Sequence, residues 1–172
     1  MELYFLRHGL AGQYGDPKYK DDSLRPLTPE GIKKLEYAAL GMIALDLKFD
    51  IILSSPYVRA RQTAEIVARA YNVKNNKIIL TKKLLPPASL KELMGKIKPL
   101  FQQSNSILFV GHEPHLSQLI SEILNSKKPL NIDFKKGSLC KVNFEFSPLE
   151  ETATLAWLIT QTQLGLMAKE KQ

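Results

Sequence analysis

Short apolar runs separated by longer stretches of helical period set the rhythm of this 172-residue chain, and that alternation predicts an α/β sheet. Leu3-Tyr4-Phe5-Leu6 is apolar throughout, so it reads as a strand buried on both faces. Residues 10 to 27 carry Gly12, Gly15, Pro17 and Pro26 among polar groups and read as a loop. Thr28-Pro29-Glu30 has the hydroxyl, proline and acid of a helix start. Ile32, Leu35, Ala39, Met42 and Ile43 then recur at helical spacing towards an end near Asp46. Ile51-Ile52-Leu53 predicts a second strand, and Ala60 to Tyr71 a helix with Ala64, Val67 and Tyr71 on one stripe. Ile78-Ile79-Leu80 follows as a third strand. Ser89-Leu90-Lys91-Glu92 has capping-box spacing, opening a helix through Leu93, Ile97, Leu100 and Phe101 that Pro99 kinks or ends. Ile107 to Val110 is a fourth strand, and Leu116, Leu119, Ile120 and Ile123 mark another helix. Leu139 to Phe146 and Thr154 to Ile159 suggest a hairpin or sheet edge. From Gln161 the mixed pattern is a weak helix or a frayed tail. No repeat, low-complexity tract or linker interrupts the series. The expectation is one domain over residues 1–172, a three-layer α/β sandwich with a mostly parallel central sheet flanked by helices and no large cap insertion.

Composition narrows this picture. A hydrophobic fraction of 44% suits a globular fold, and apolar runs of only a few residues are too short for a transmembrane helix. Cys140 is the sole cysteine, which excludes an intramolecular disulfide and a cysteine-rich zinc cluster. The opening MELYFLRHG lacks the basic start and long apolar stretch of a secretory signal. These features predict a soluble, reduced, cytoplasmic domain with no membrane partner, and a monomer by default. The 24 Lys+Arg against 17 Asp+Glu leave 24 − 17 = +7. The lysines fall in scattered pairs, Lys33-Lys34, Lys82-Lys83, Lys127-Lys128 and Lys135-Lys136, without interleaved aromatics for base stacking. Nucleic acid is therefore not expected; a solvated basic surface, or attraction to an acidic or phosphorylated partner, is.

Candidate chemistry collects after three predicted strands: Arg7-His8-Gly9, Ser54-Ser55-Pro56 with Arg59, and Gly111-His112-Glu113. Ligands of open parallel sheets bind at strand carboxyl ends, so these segments can share one crevice. Guanidinium groups match tetrahedral oxyanions, and imidazole serves as nucleophile or acid near neutral pH. Gly9 would admit a phosphoryl group close to the backbone.

At these residues the chain resembles the histidine phosphatase superfamily. Arg7-His8-Gly9, the stretch from Arg25 to Gly31, the stretch from Ser54 to Ala64, and Gly111-His112-Glu113-Pro114 stand in that family's order. The short chain is similar within it to the SixA-type phosphohistidine phosphatases. The acidic residue that many relatives carry after the third strand is missing from Leu84-Leu85-Pro86-Pro87, and Glu92 is the next carboxylate. The resemblance implies that His8 attacks phosphorus and forms a phosphohistidine intermediate. It implies further that Arg7 and Arg59 hold the equatorial oxygens, that His112 adds a donor, and that no metal or other cofactor takes part. The implied partner is a histidine-phosphorylated protein domain or a small phosphorylated molecule.

Other assignments compete at several positions. Arg25 could bind substrate at the pocket rim or face solvent. Arg61 should point away from Arg59. A zinc site of His8, His112 and His115 would seat two arginines beside the divalent ion, so His115 is read as a rim or helix-start residue. Cys140 and Trp157 are read as core. The loop of residues 10–24, with Gln13, Tyr14, Asp16 and Lys18, is the candidate rim. Competing functions are a small-molecule phosphomonoesterase and a catalytically silent phosphate-binding module.

Overall fold

In the computed structural model, which describes residues 1–73, 78–100, 102–126, 128–144 and 153–169, the apolar runs become strands of one sheet. These are β1 (Glu2–Arg7), β2 (Ile51–Ser54), β3 (Ile78–Leu80), β4 (Ser106–Gly111), β5 (Leu139–Asn143) and β6 (Thr154–Ile159), in the order β3-β2-β4-β1-β5-β6. The pairs β3–β2, β2–β4 and β4–β1 are parallel, whereas β5 runs antiparallel to both β1 and β6. The sheet is thus mixed but mostly parallel. Among the described residues five helices flank it: α1 (Pro29–Ala44), α2 (Val58–Ala70), α3 (Leu90–Ile97), α4 (His115–Ile123) and α5 (Gln161–Met167).

The period of two within each strand divides the core into two layers. Leu3 and Phe5 of β1 join Leu53, Ile107 and Phe109 under α3 and α4, where Leu93, Ile97, Leu116 and Ile120 cover them. Tyr4 and Leu6 turn the other way, with Ile52, Leu108 and Val110, against Met42 of α1, Ala64 and Val67 of α2, and Leu164 of α5. The continuous apolar character of β1 and β4 follows from this two-sided burial.

Local chemistry sets the helix ends. Thr28 Oγ1 accepts from the Gly31 N–H at 3.0 Å, with proline at the next position. The Ser89–Glu92 capping box closes as its spacing predicts. Helix α3 ends at Ile97, and Lys98–Leu100 continues as a 3-10 turn holding Pro99; Phe101 lies outside the described residues.

Several expectations shift. The tail from Gln161 is a helix: Thr160 and Gln163 form a capping box, and α5 packs along α1. A Cβ at Gly41 would stand 1.9 Å from the Leu164 carbonyl oxygen, so the two helices meet where α1 has no side chain. The buried face of α1 consequently runs through Leu35, Ala38, Ala39 and Met42, leaving Ile43 exposed. Strand β3 is an edge strand with Leu80 exposed. Trp157, expected in the core, is only half-buried on edge strand β6, tilted against Tyr4. Cys140 is buried as expected. Strand β5 ends at Asn143, and 145–146 of the predicted run, like Lys127, lie outside the described residues. Among the described residues no helix is long and apolar enough to cross a membrane.

Candidate active site

Register builds the site. Arg7 of β1 pairs with Gly111 of β4, and Ser54 of β2 with Val110, so three strands end along one edge. The turns that follow deliver His8, Ser55 and His112 there. Strand β5 starts at this edge too, because Leu139 pairs with Leu6, and it brings the preceding loop over β1. The Gly137 N–H donates to the carbonyls of both Arg7 and His8 at 3.1 Å, and the Arg7 N–H donates to Ser138 O at the same distance.

His8 is 5% exposed. Its Nδ1 lies 2.7 Å from its neighbour's carbonyl, Gly9 O. A carbonyl only accepts, so this contact assigns the ring proton to Nδ1 and leaves Nε2 as the lone-pair acceptor. Consistently, Arg59 Nε donates to His8 Nε2 at 3.3 Å. Burial, with His112, Arg59 and Arg7 nearby, pushes the His8 pKa down to about 2 against the favourable Gly9 contact, so the ring is neutral at physiological pH.

His112 faces it with ring centroids 5.1 Å apart. Its Nε2 is 2.7 Å from Ser55 Oγ, while its Nδ1 is buried and unpartnered among the described residues. Burial first, then the Arg59 charge, pushes its pKa down to about 3, with Asp22 opposing.

The two arginines are fixed differently. Arg7 Nη1 donates to Phe134 O at 2.7 Å. Arg59 enters from the first turn of α2 and directs Nη1 to the Asp22 carbonyl at 2.8 Å and Nη2 to the Asp22 carboxylate at 2.9 Å. The same carboxylate accepts from Arg25 Nε at 2.9 Å. Burial raises the Asp22 pKa, but the hydrogen bonds and charges of Arg25 and Arg59 outweigh it and hold the group below its ordinary range. Arg25, whose Nη1 also donates to Gly12 O at 2.6 Å, is buried behind Arg59 rather than in solvent. It reaches the site through Asp22.

Other residues are placed as follows. Thr63 Oγ1 accepts from the Gly9 N–H at 3.2 Å and donates to Arg59 O at 2.7 Å, tying the turn after β1 to the first turn of α2. Gly9 was read as room for an anion; its tight neighbour is Leu35, which a Cβ would meet at 2.4 Å. The Tyr57 ring lies 5.0 Å from the Arg59 guanidinium and 5.1 Å from His112. Arg61 pairs with Glu65 on the surface of α2. His115 starts α4 but is buried, with Nε2 3.4 Å from Lys83 O, which excludes the rim position. Glu92 is occupied by Lys83 and its own helix cap, and Glu113 by Ser117. Among the described residues no three His, Cys, Asp or Glu side chains gather as a metal site.

Asp22, Thr63 and the Phe134 carbonyl escaped sequence reasoning. The acid three residues before Arg25 was the one available signal for Asp22.

The family model for the histidine phosphatase superfamily (branch 1) matches residues 3–84. An uncharacterized protein of Picosynechococcus sp. is 34% identical over 140 residues, 81% of this chain and 82% of that protein. The phosphohistidine phosphatase SixA of Escherichia coli is 26% identical over 130 residues, 75% of this chain and 78% of the relative. The solved structure of the protein histidine phosphatase SixA complexed with tungstate superposes with a TM-score of 0.81 at 24% identity, covering 95% of this chain and 99% of that one. An alpha-ribazole phosphatase from Shigella flexneri shares the fold at TM-score 0.70 and 20% identity, covering 94% and 97%.

Proposed function

This chain belongs to the histidine phosphatase superfamily, and we propose that it is a cytoplasmic, metal-independent phosphohistidine phosphatase acting on a histidine-phosphorylated protein domain. One observation carries the reading. A neutral imidazole, protonated on Nδ1, turns its unprotonated Nε2 to a buried guanidinium and accepts from it. That is the arrangement a nitrogen nucleophile needs beside an oxyanion.

In the proposed reaction the His8 Nε2 lone pair forms a bond to phosphorus as the substrate's P–N bond breaks. The departing ring keeps that electron pair. When already protonated on its other nitrogen, it leaves as neutral imidazole. Water then attacks the His8 phosphoramidate, His8 recovers its lone pair, and the water's protons end on phosphate and solvent. Arg7 and Arg59 hold the phosphoryl oxygens, which compete with the Asp22 carboxylate for the Arg59 fork. His112 offers its unpartnered Nδ1 edge to the same group. Arg25 acts behind them by holding Asp22.

The missing acid supports the leaving-group assignment. An alkoxide needs a proton donor worth roughly 10²–10⁴-fold in rate. Asp22 and Glu92 are both held below the ordinary carboxylate range, Glu92 at about 2 by its hydrogen bond to Lys83 first, so neither is a ready donor.

The test is a panel of phosphoramidates and aryl or sugar phosphates assayed with chelator present. Phosphoramidates should turn over faster, an acid-labile label should pass to the protein, and His8→Ala should abolish both. Exclusive turnover of esters would select the small-molecule phosphomonoesterase instead. Binding without label transfer would leave a phosphate-binding module.

A further inference from the structure

The loop before β5 carries a cation that the reaction above does not use. Lys136 lies between Phe134, whose carbonyl holds Arg7, and Gly137, whose N–H binds the carbonyls of Arg7 and His8. Its backbone is therefore fixed to the catalytic strand from both sides. Its sequence neighbour Lys135 pairs with Asp133 at 3.4 Å. Lys136 has no carboxylate within ion-pair distance among the described residues, and its side chain is exposed. Burial and the charges of Arg7, Arg25 and Arg59 all lower its pKa, so its ammonium stands in the field of the site's three arginines.

Of the cations around this crevice, Arg25 and Arg59 share the Asp22 carboxylate and Arg7 feels the charges of Glu113 and Asp133. The exposed side chain lies outside the buried cup formed by His8, Arg59 and His112, on the loop that Gly137 ties to the end of β1. A group at that position meets the part of a substrate next to the phosphoryl.

We propose that Lys136 is a positioning residue that selects substrates bearing a carboxylate beside the transferred phosphoryl group, an Asp or Glu side chain near the phosphohistidine in a protein domain and the α-carboxylate in a free phospho-amino acid. The identity of the leaving group rests on the function proposed above; the carboxylate preference does not.

The test uses substrate pairs that differ only in that carboxylate. Phosphohistidine against phosphohistamine supplies the phosphoramidate arm, and phosphoserine against phosphoethanolamine the ester arm. In the wild-type chain KM should be about two- to five-fold lower for the carboxylate-bearing member, the scale of an exposed ion pair. The kcat should differ less. Lys136→Met should bring the KM ratio to about one, and Lys136→Arg should restore it. The ratio is internal to each variant, so partial misfolding cancels. Equal KM values in the wild type, or a preference that survives Lys136→Met, would overturn the assignment. Turnover confined to the ester arm would remove the phosphohistidine reading while still testing the lysine.

Discussion

His8 and His112 are stored neutral, and that state ties the fold to pH. Both begin from an ordinary value of 6.5 and are held at about 2 and about 3 when folded. Below pH 6.5 the unfolded chain takes up protons that the folded one refuses, so acidification favours unfolding. Their contribution to stability is complete above that pH and lost as pH falls towards the folded values. Each histidine should cost up to about 2 kcal/mol between pH 6.5 and pH 5. Urea midpoints at pH 7.5 and pH 5 should therefore differ more for the wild type than for His8→Asn or His112→Asn; equal slopes would mean the rings are not held neutral. Asp22 acts in the same direction at lower pH, because its depressed pKa yields stability that disappears as the carboxylate is protonated. At this scale short ordered motifs pointed to His8, Arg7, Arg59 and His112, which the fold brings to one edge of the sheet. The sequence concealed Asp22 and Thr63 because a polar loop has no period, and a threonine on α2 looks like any other helix residue until Gly9 is beside it.

Among the elements, the contact between α1 and α5 was the least legible. An apolar stripe can be read from spacing, whereas a helix crossing made possible by a missing side chain cannot. Gly41→Ala forces a methyl group against the Leu164 backbone and should destabilise by about 1–3 kcal/mol, the scale of overpacking. Thr160→Ala removes the α5 cap and should cost about 1 kcal/mol. Chemical denaturation of both variants measures these effects, and an unchanged midpoint for Gly41→Ala would place α5 elsewhere. The central strands were readable because two-sided burial makes Leu3 to Leu6 of β1 and Ile107 to Val110 of β4 apolar without a break. The edge strands were harder: on β6 Trp157, expected in the core, is only half-buried against it, and on β3 Leu80 is exposed.

For the whole molecule, a net charge of +7 and a cationic crevice predict electrostatic steering of an acidic protein substrate. Its kcat/KM should fall as salt rises from about 0.01 M, where charges are felt over roughly 30 Å, to about 0.15 M, where they reach roughly 8 Å. A small neutral-flanked phosphoramidate should respond less. Equal salt responses would leave the basic surface without a steering role. The position of β1 in the sheet has a different consequence. Strand β1, made before the other five strands of the sheet, lies between β4 and β5, whose residues begin at Ser106 and Leu139. During translation Arg7 and His8 therefore wait on a strand end with neither neighbour until Ser106 and the residues after it have been made. A truncated product ending before Ser106 should be aggregation-prone, and its bare strand edges a natural target for chaperones.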